Sequence, residues 1–79
     1  MKDQVINIVS RVLDMSVDNV SEKLAAENVE NWDSLRHMRL ILSLEEEFSI
    51  RFTEKEIVSL DSVSKIINSL KAREGGRDL

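Results

Sequence analysis

The chain has 79 residues, a net charge of −4 at pH 7 and a sequence pI of about 4.9, which makes one small acidic domain. That charge excludes the net basic surface that nucleic-acid binding requires. The absence of cysteine, with one histidine (His37), excludes disulfides, thiolate chemistry and a two-histidine metal site.

No apolar run approaches the ~20 residues that span a bilayer. The N-terminus, MKDQVINIVS, alternates polar and apolar residues and has no signal-peptide apolar core. These features predict a cytoplasmic monomer without membrane insertion, whose protein partners offer basic patches. The lack of proline and the placement of Gly75 and Gly76 near the end favour long helices. The glycine pair is positioned to stop the last of them.

Residues 4 to 13 carry Val5, Ile6, Val9, Val12 and Leu13 at helical spacing, with Asp3 as the expected N-cap and Ile8 off the main stripe. Residues 14 to 33 place Val17, Val20, Leu24, Val29 and Trp32 irregularly among polar neighbours. This reads as a long loop pinned to the core. It serves either a function or a connection along the bundle. Residues 34 to 48 form the clearest helix. Asp33 caps it, and Leu35, Met38, Ile41, Leu42, Leu44 and Phe48, extended by Leu40, make a wide apolar face. Glu45, Glu46 and Glu47 crowd its C-terminus, where acids oppose the macrodipole.

Ile50 and Phe52 alternate with polar residues in a short link and are expected to point inward. Thr53 and Glu56 fit a capping box for a short helix ending near Ser59. Asp61 or Ser62 caps the last helix, with Val63, Ile66, Ile67 and Leu70 facing the core. The expected architecture is all-α: a small four-helix bundle with three long helices, one short helix and a long first loop. The domain is expected over residues 1–72, with a flexible polar tail over 73–79.

Catalysis by this chain alone is not expected. His37 follows Ser34 by three residues, but a nucleophile and base also need an orienting group and a sheltered oxyanion site. An isolated histidine on such a helix is expected to be solvent-exposed. Asp14 to Asn19 hints at a calcium loop, yet the position needing glycine is Asn19 and the twelfth is Ala25 rather than Glu. Arg36, Arg39 and Arg51 are the nearest approach to a basic cluster, too little for a DNA-reading helix.

Asp33-Ser34 has two readings. Both residue types cap helices, because their oxygens accept free backbone N–H groups. The same N–H groups and dipole end also favour a phosphate, so a phosphodiester on Ser34 Oγ would sit in a favourable field with Arg36 nearby. A serine modified by a separate enzyme needs no base of its own. A thioester carrier without cysteine must take its thiol from a prosthetic group.

Asp33-Ser34-Leu35, the helix that follows, the run Leu44-Glu45-Glu46-Glu47-Phe48, then Ile50 and Phe52, together resemble the acyl carrier protein family from about Val5 to Leu70. The resemblance implies 4′-phosphopantetheine transferred from coenzyme A to Ser34 by a phosphopantetheinyl transferase, whose Mg²⁺ belongs to that enzyme's own site. It also implies acyl groups held as thioesters and presented to an acyl ligase, acyltransferase or synthase. In many members the acyl group is sheltered between helices; the depth of such a pocket here depends on the packing of Met38, Ile41, Phe48, Ile57 and Ile66. Asp33, Leu35 and Met38 match positions at which partner enzymes dock.

Arg36 and Arg39 depart from the pattern of the family's primary fatty acid synthesis carriers, which usually have acids there; Trp32, Ser49 and Thr53 also depart. Arginines at those positions repel partners evolved for an acidic helix. A specialised carrier with its own partner enzymes is therefore expected. An aminoacyl or peptidyl carrier, or a helical interaction module without an arm, is the alternative.

Overall fold

The structure, a computed structural model, describes the backbone of residues 1–77 and the side chains of residues 1–73. Four α-helices follow in order: α1 (Lys2–Leu13), α2 (Ser34–Phe48), α3 (Glu54–Ser59) and α4 (Val63–Arg77). The long first loop contains 3₁₀ turns at Val17–Asn19 and Ala26–Asn28. Helix α1 packs against both α2 and α4. The predicted all-α bundle is the observed one, and among the described residues it contains no strand.

Helix α1 starts earlier than predicted. Met1 holds the N-cap position, and Asp3 lies in the first turn, near the positive dipole end. Val5, Ile8, Val9 and Leu13 are buried, while Ile6 and Val12 pack only partly against the core. The stripe therefore centres nearer Ile8 than predicted, because α1 has neighbours on two sides. Asp14 ends the helix in the left-handed region (φ 54°, ψ 52°), which Asp tolerates better than most residues.

In α2 the predicted wide apolar face divides. Leu40, Ile41 and Leu44 are buried, whereas Leu35, Met38 and Leu42 are 66%, 44% and 59% exposed. At ~100° per residue the two sets are centred roughly 140° apart around the helix, too far to face one core. Ser49 ends α2, also left-handed (φ 53°, ψ 50°).

Two of the three acids near that end hold structure. Glu45 Oε2 accepts the Phe52 N–H at 2.8 Å, and Glu47 Oε2 accepts from Gln4 Nε2 at 3.0 Å. Phe52 is buried and Ile50 partly so, as their alternation predicted.

The capping box of α3 is present in full. Thr53 Oγ1 accepts the Glu56 N–H at 3.1 Å, and Glu56 Oε1 accepts the Thr53 N–H at 2.9 Å. For α4 the cap is Ser62, whose Oγ accepts the Lys65 N–H at 3.1 Å; Asp61 instead pairs with Lys65 Nζ at 2.9 Å.

The long loop has a mechanical role here. Its Leu24 and Glu22 carbonyls accept the Val63 and Ser64 N–H groups at 2.9 and 3.0 Å, and Ala26 N–H donates to Asp61 O at 2.8 Å. The loop thus satisfies donors that α4 cannot satisfy internally. Val20 and Trp32 pin it to the core, with Leu24 and Val29 partly buried, but Val17 is 49% exposed and does not.

Gly75 and Gly76 do not stop α4, which runs through Arg77. Arg73, expected in the tail, closes the bundle instead. Its Nη2 donates to Arg51 O at 2.9 Å and to both Glu56 carboxylate oxygens at 3.0 Å, and its guanidinium stacks 5.0 Å from the Phe52 ring centroid. The rest of the expected tail, side chains from residue 74 and backbone from 78, lies outside the described residues.

The Thr53 backbone N–H, with Arg73, holds the Glu56 carboxyl below the usual glutamate range. A depressed folded-state pKa contributes stability above the unfolded value, which is lost as pH falls through the folded value. Glu56→Gln keeps the box geometry but removes the charge. The variant is expected to melt at a lower temperature than the wild type at pH 7. The gap should close as thermal melts are repeated below the usual glutamate range.

Candidate functional site

The start of α2 divides its work between two neighbouring residues. Asp33 is extended (φ −96°, ψ −177°), and its Oδ1 accepts the Arg36 N–H at 2.9 Å while its carbonyl accepts the His37 N–H at 2.8 Å. Asp33 is therefore the cap. Ser34 is the first helical residue and is exposed; among the described residues its Oγ makes no hydrogen bond. The hydroxyl stands at the positive end of the helix dipole with no structural task.

Arg36 has a second bond. Its Nη1 donates to the Val12 carbonyl at 2.8 Å, and Asn31 Nδ2 donates to the Leu13 carbonyl at 3.2 Å. Both close the C-terminus of α1. Arg36 thus joins two helices, whereas Arg39 is exposed. The basic grouping differs from the predicted one. Arg11 joins Arg36 and Arg39 around a shallow groove that includes Leu42, while Arg51 lies beside Glu45 and Glu46. Arg11 was not legible in the sequence as a member, because only the packing of α1 on α2 brings it there.

His37 is not the exposed helix residue expected. It is half-buried: the Trp32 indole N–H donates to its Nδ1 at 2.9 Å, and its Nε2 lies 2.7 Å from the Ile57 carbonyl. Since Nδ1 must accept from the indole, the proton sits on Nε2 and is donated to Ile57. Both ring nitrogens are engaged, so neither serves as a base for Ser34. One signal was available: a buried tryptophan N–H needs an acceptor, and a histidine lies five residues along the chain. Trp32 itself covers the bundle end, 6% exposed.

Beside Ser34 lies an open groove of about 340 Å³, walled by Trp32, His37 and Met38 on one side and Ile57 and Val58 of α3 on the other. Of the five residues expected to define a pocket, Met38 and Ile57 line this groove. Ile41 and Ile66 are 1% and 0% exposed inside the closed core, and Phe48 packs against that core. Leu35 and Met38 form, with Leu42, an exposed apolar line along α2. Among the described residues no group of three or more His, Cys, Asp and Glu side chains could hold a metal, and no helix is long and apolar enough to cross a membrane.

The site is thus an exposed, unengaged serine at the head of the second long helix of a small bundle. The chain matches the family model "Phosphopantetheine attachment site" over residues 3–70. It is 31% identical over 75 residues to an acyl carrier protein of Chlamydia caviae, covering 95% of this chain and 97% of that protein. It is 23% identical to acyl carrier protein 3 of Ralstonia nicotianae, covering 95% and 86%. A solved structure assigned as an acyl carrier protein of Mycobacterium tuberculosis superposes with a TM-score of 0.77 at 22% identity, covering 91% of this chain and 97% of that one, a likeness of fold.

This chain belongs to the acyl carrier protein family. Its prosthetic group is a covalently attached 4′-phosphopantetheine. The family works as carriers rather than catalysts, with a phosphopantetheinyl transferase and acyl-handling enzymes as partners.

If Asp33 alone caps α2, Asp33→Ala lowers unfolding free energy by about 1 kcal/mol, while Ser34→Ala changes it by no more than ~0.5 kcal/mol. Urea denaturation of the two variants measures the difference.

Proposed function

We propose that this chain is a discrete acyl carrier of a specialised pathway, with the arm attached at Ser34 and partner enzymes docking on Asp33, Leu35, Arg36, Met38 and Arg39. The observation that carries the attachment site is the division of labour at α2: Asp33 caps, and the Ser34 hydroxyl is exposed and unengaged. A phosphodiester fits there, since the helix N-terminus supplies positive potential and free N–H donors. When attached, the group supplies a terminal thiol that holds cargo as a thioester.

The chain's own residues do the rest. Asp33 fixes the first turn, so that Ser34 is presented at a capped helix end. Leu35, Met38 and Leu42 offer apolar contact along one line of α2, starting beside the arm. Arg39, with Arg11, places positive charge along that surface. Basic partner patches suited to an acidic helix would meet like charge there, which supports dedicated partners. The absence of a membrane-length helix among the described residues is compatible with work in the cytoplasm.

Incubation with coenzyme A and a broad-specificity phosphopantetheinyl transferase should add one phosphopantetheine unit to the intact mass. Ser34→Ala should abolish the gain. A gain that persists in Ser34→Ala, or no gain with several transferases, refutes the assignment.

The specialised pathway is tested separately, on Arg39 rather than Arg36, because Arg36 also closes α1. A malonyl transferase of primary fatty acid synthesis should load the wild type poorly and Arg39→Glu at least several-fold better. Equal, efficient loading of both would remove the argument for dedicated partners.

A further inference from the structure

The groove beside Ser34 ends at the pair of hydrogen bonds through His37. Trp32 donates to Nδ1 from the loop side at 2.9 Å, and Nε2 donates to the Ile57 carbonyl of α3 at 2.7 Å. His37 thus spans the gap between α2 and α3 on the side where Ser34 is exposed. Its ring is held from two directions and is tilted 31° to the indole, with centroids 6.1 Å apart. The core side chains behind, Ile41 and Ile66, are closed to solvent.

We infer that His37 is a latch that keeps the space between α2 and α3 shut and thereby restricts the chain to cargo carried outside the bundle: short or polar acyl groups rather than long apolar ones. The inference rests on the carrier reading and adds a cargo class to it.

The physical argument is one of competing contacts. An apolar chain advancing from the groove toward Ile41 must part the Ile57 carbonyl from His37 Nε2. Doing so leaves a donor and an acceptor facing apolar atoms, and neither can pair with an alkyl chain. Separating His37 from Ile57 also loosens its hold on the Trp32 indole, whose N–H has no other partner among the described residues. A two-carbon group gains nothing from entering and does not meet the latch. A chain of eight carbons or more would have to break it. His37 thus acts as a positioning residue for specificity and takes no part in any reaction.

The α3 side is suited to such a hinge. Helix α3 has six residues, none of them buried, and Val58 is 79% exposed, so its C-terminal end can shift while the capping box and the Arg73 clamp on Glu56 hold its first turn. Few buried apolar contacts hold it, which lowers the local cost of opening.

The test uses the unmodified 79-residue chain, so that it is decided whether or not Ser34 accepts an arm. The probes are free N-acetylcysteamine thioesters of acetate and octanoate, titrated against ¹⁵N-labelled protein and followed by amide and Trp32 indole N–H resonances. In the wild type the octanoyl probe should bind no more tightly than the acetyl probe, with the indole resonance unmoved. In His37→Ala the octanoyl probe should bind at least about 5-fold more tightly than the acetyl probe, the equivalent of one net hydrogen bond no longer opposing entry. Shifts should then reach Ile41 and Ile66.

His37→Gln can both accept and donate and should restore the wild-type pattern. A residue with a merely structural role would change stability without creating preference for the longer probe. If His37→Ala does not fold, Trp32→Phe removes one of the two bonds and should give the same preference at smaller magnitude. Equal octanoyl preference in the wild type and the variants, or none in any of them, overturns the inference and leaves the mass-gain experiment on Ser34 untouched.

Discussion

The fold and the site share one joint, Arg36. Its backbone N–H closes onto Asp33 Oδ1 and so defines where α2 begins. Its guanidinium reaches 24 residues back to the Val12 carbonyl and seals the end of α1. A domain of this size buries too little apolar surface to leave polar helix ends unpaired, since its core supplies only ~3–5 kcal/mol of net stability. Several termini are therefore closed by side chains or by the loop: Arg36 and Asn31 at the end of α1, and Ser62 with the loop carbonyls of Glu22 and Leu24 at the start of α4. Presentation of Ser34 is a consequence: the α2 terminus is closed by the residue before it and tied down by the residue two after it.

The same economy explains why residues that look functional in sequence turn out to be structural. The glutamate run at the end of α2 opposes the macrodipole. Yet Glu45 holds the Phe52 N–H and Glu47 accepts from Gln4, so tertiary bonds outweigh a local cost of a few tenths of a kcal/mol each. The long first loop, which its length alone marks as unusual, caps α4 from outside. Conversely, His37 reads as an ordinary surface residue and holds two hydrogen bonds across the helix pair beside Ser34. Membership of the acyl carrier protein family rests on the match of nearly the whole chain. Around the head of α2, Arg39 and Arg11 line one groove, and His37, held by two hydrogen bonds, lines the other, beside Ser34.

Helix existence, order and most caps were legible from local patterns. The residues that read as α2 and α3 are those that form them, α4 runs past its expected end, and Asp33, Thr53 and Glu56 cap as their spacing predicts. These features depend on neighbours within four positions, so a linear reading contains them. The Asp33-Ser34-Leu35 motif is local in the same way: three adjacent residues carry its resemblance to carrier proteins, with no contribution from distant contacts.

Which apolar residues go inside was a different matter. Leu35, Met38 and Leu42 have the composition of a core and lie outside it, because burial depends on where α1 and α4 stand around α2. Arg11 joining Arg39, Arg73 clamping Glu56 and His37 bridging Trp32 to Ile57 link residues up to 28 positions apart or on different elements. Sequence by itself determined four helices and a serine at the head of the second. Only the packing of those helices decided that Arg36 seals the end of α1 and that His37 bridges Trp32 to Ile57 in the groove beside that serine. A hydrogen bond needs its partner within about 3 Å, and no periodicity specifies which distant residue arrives there.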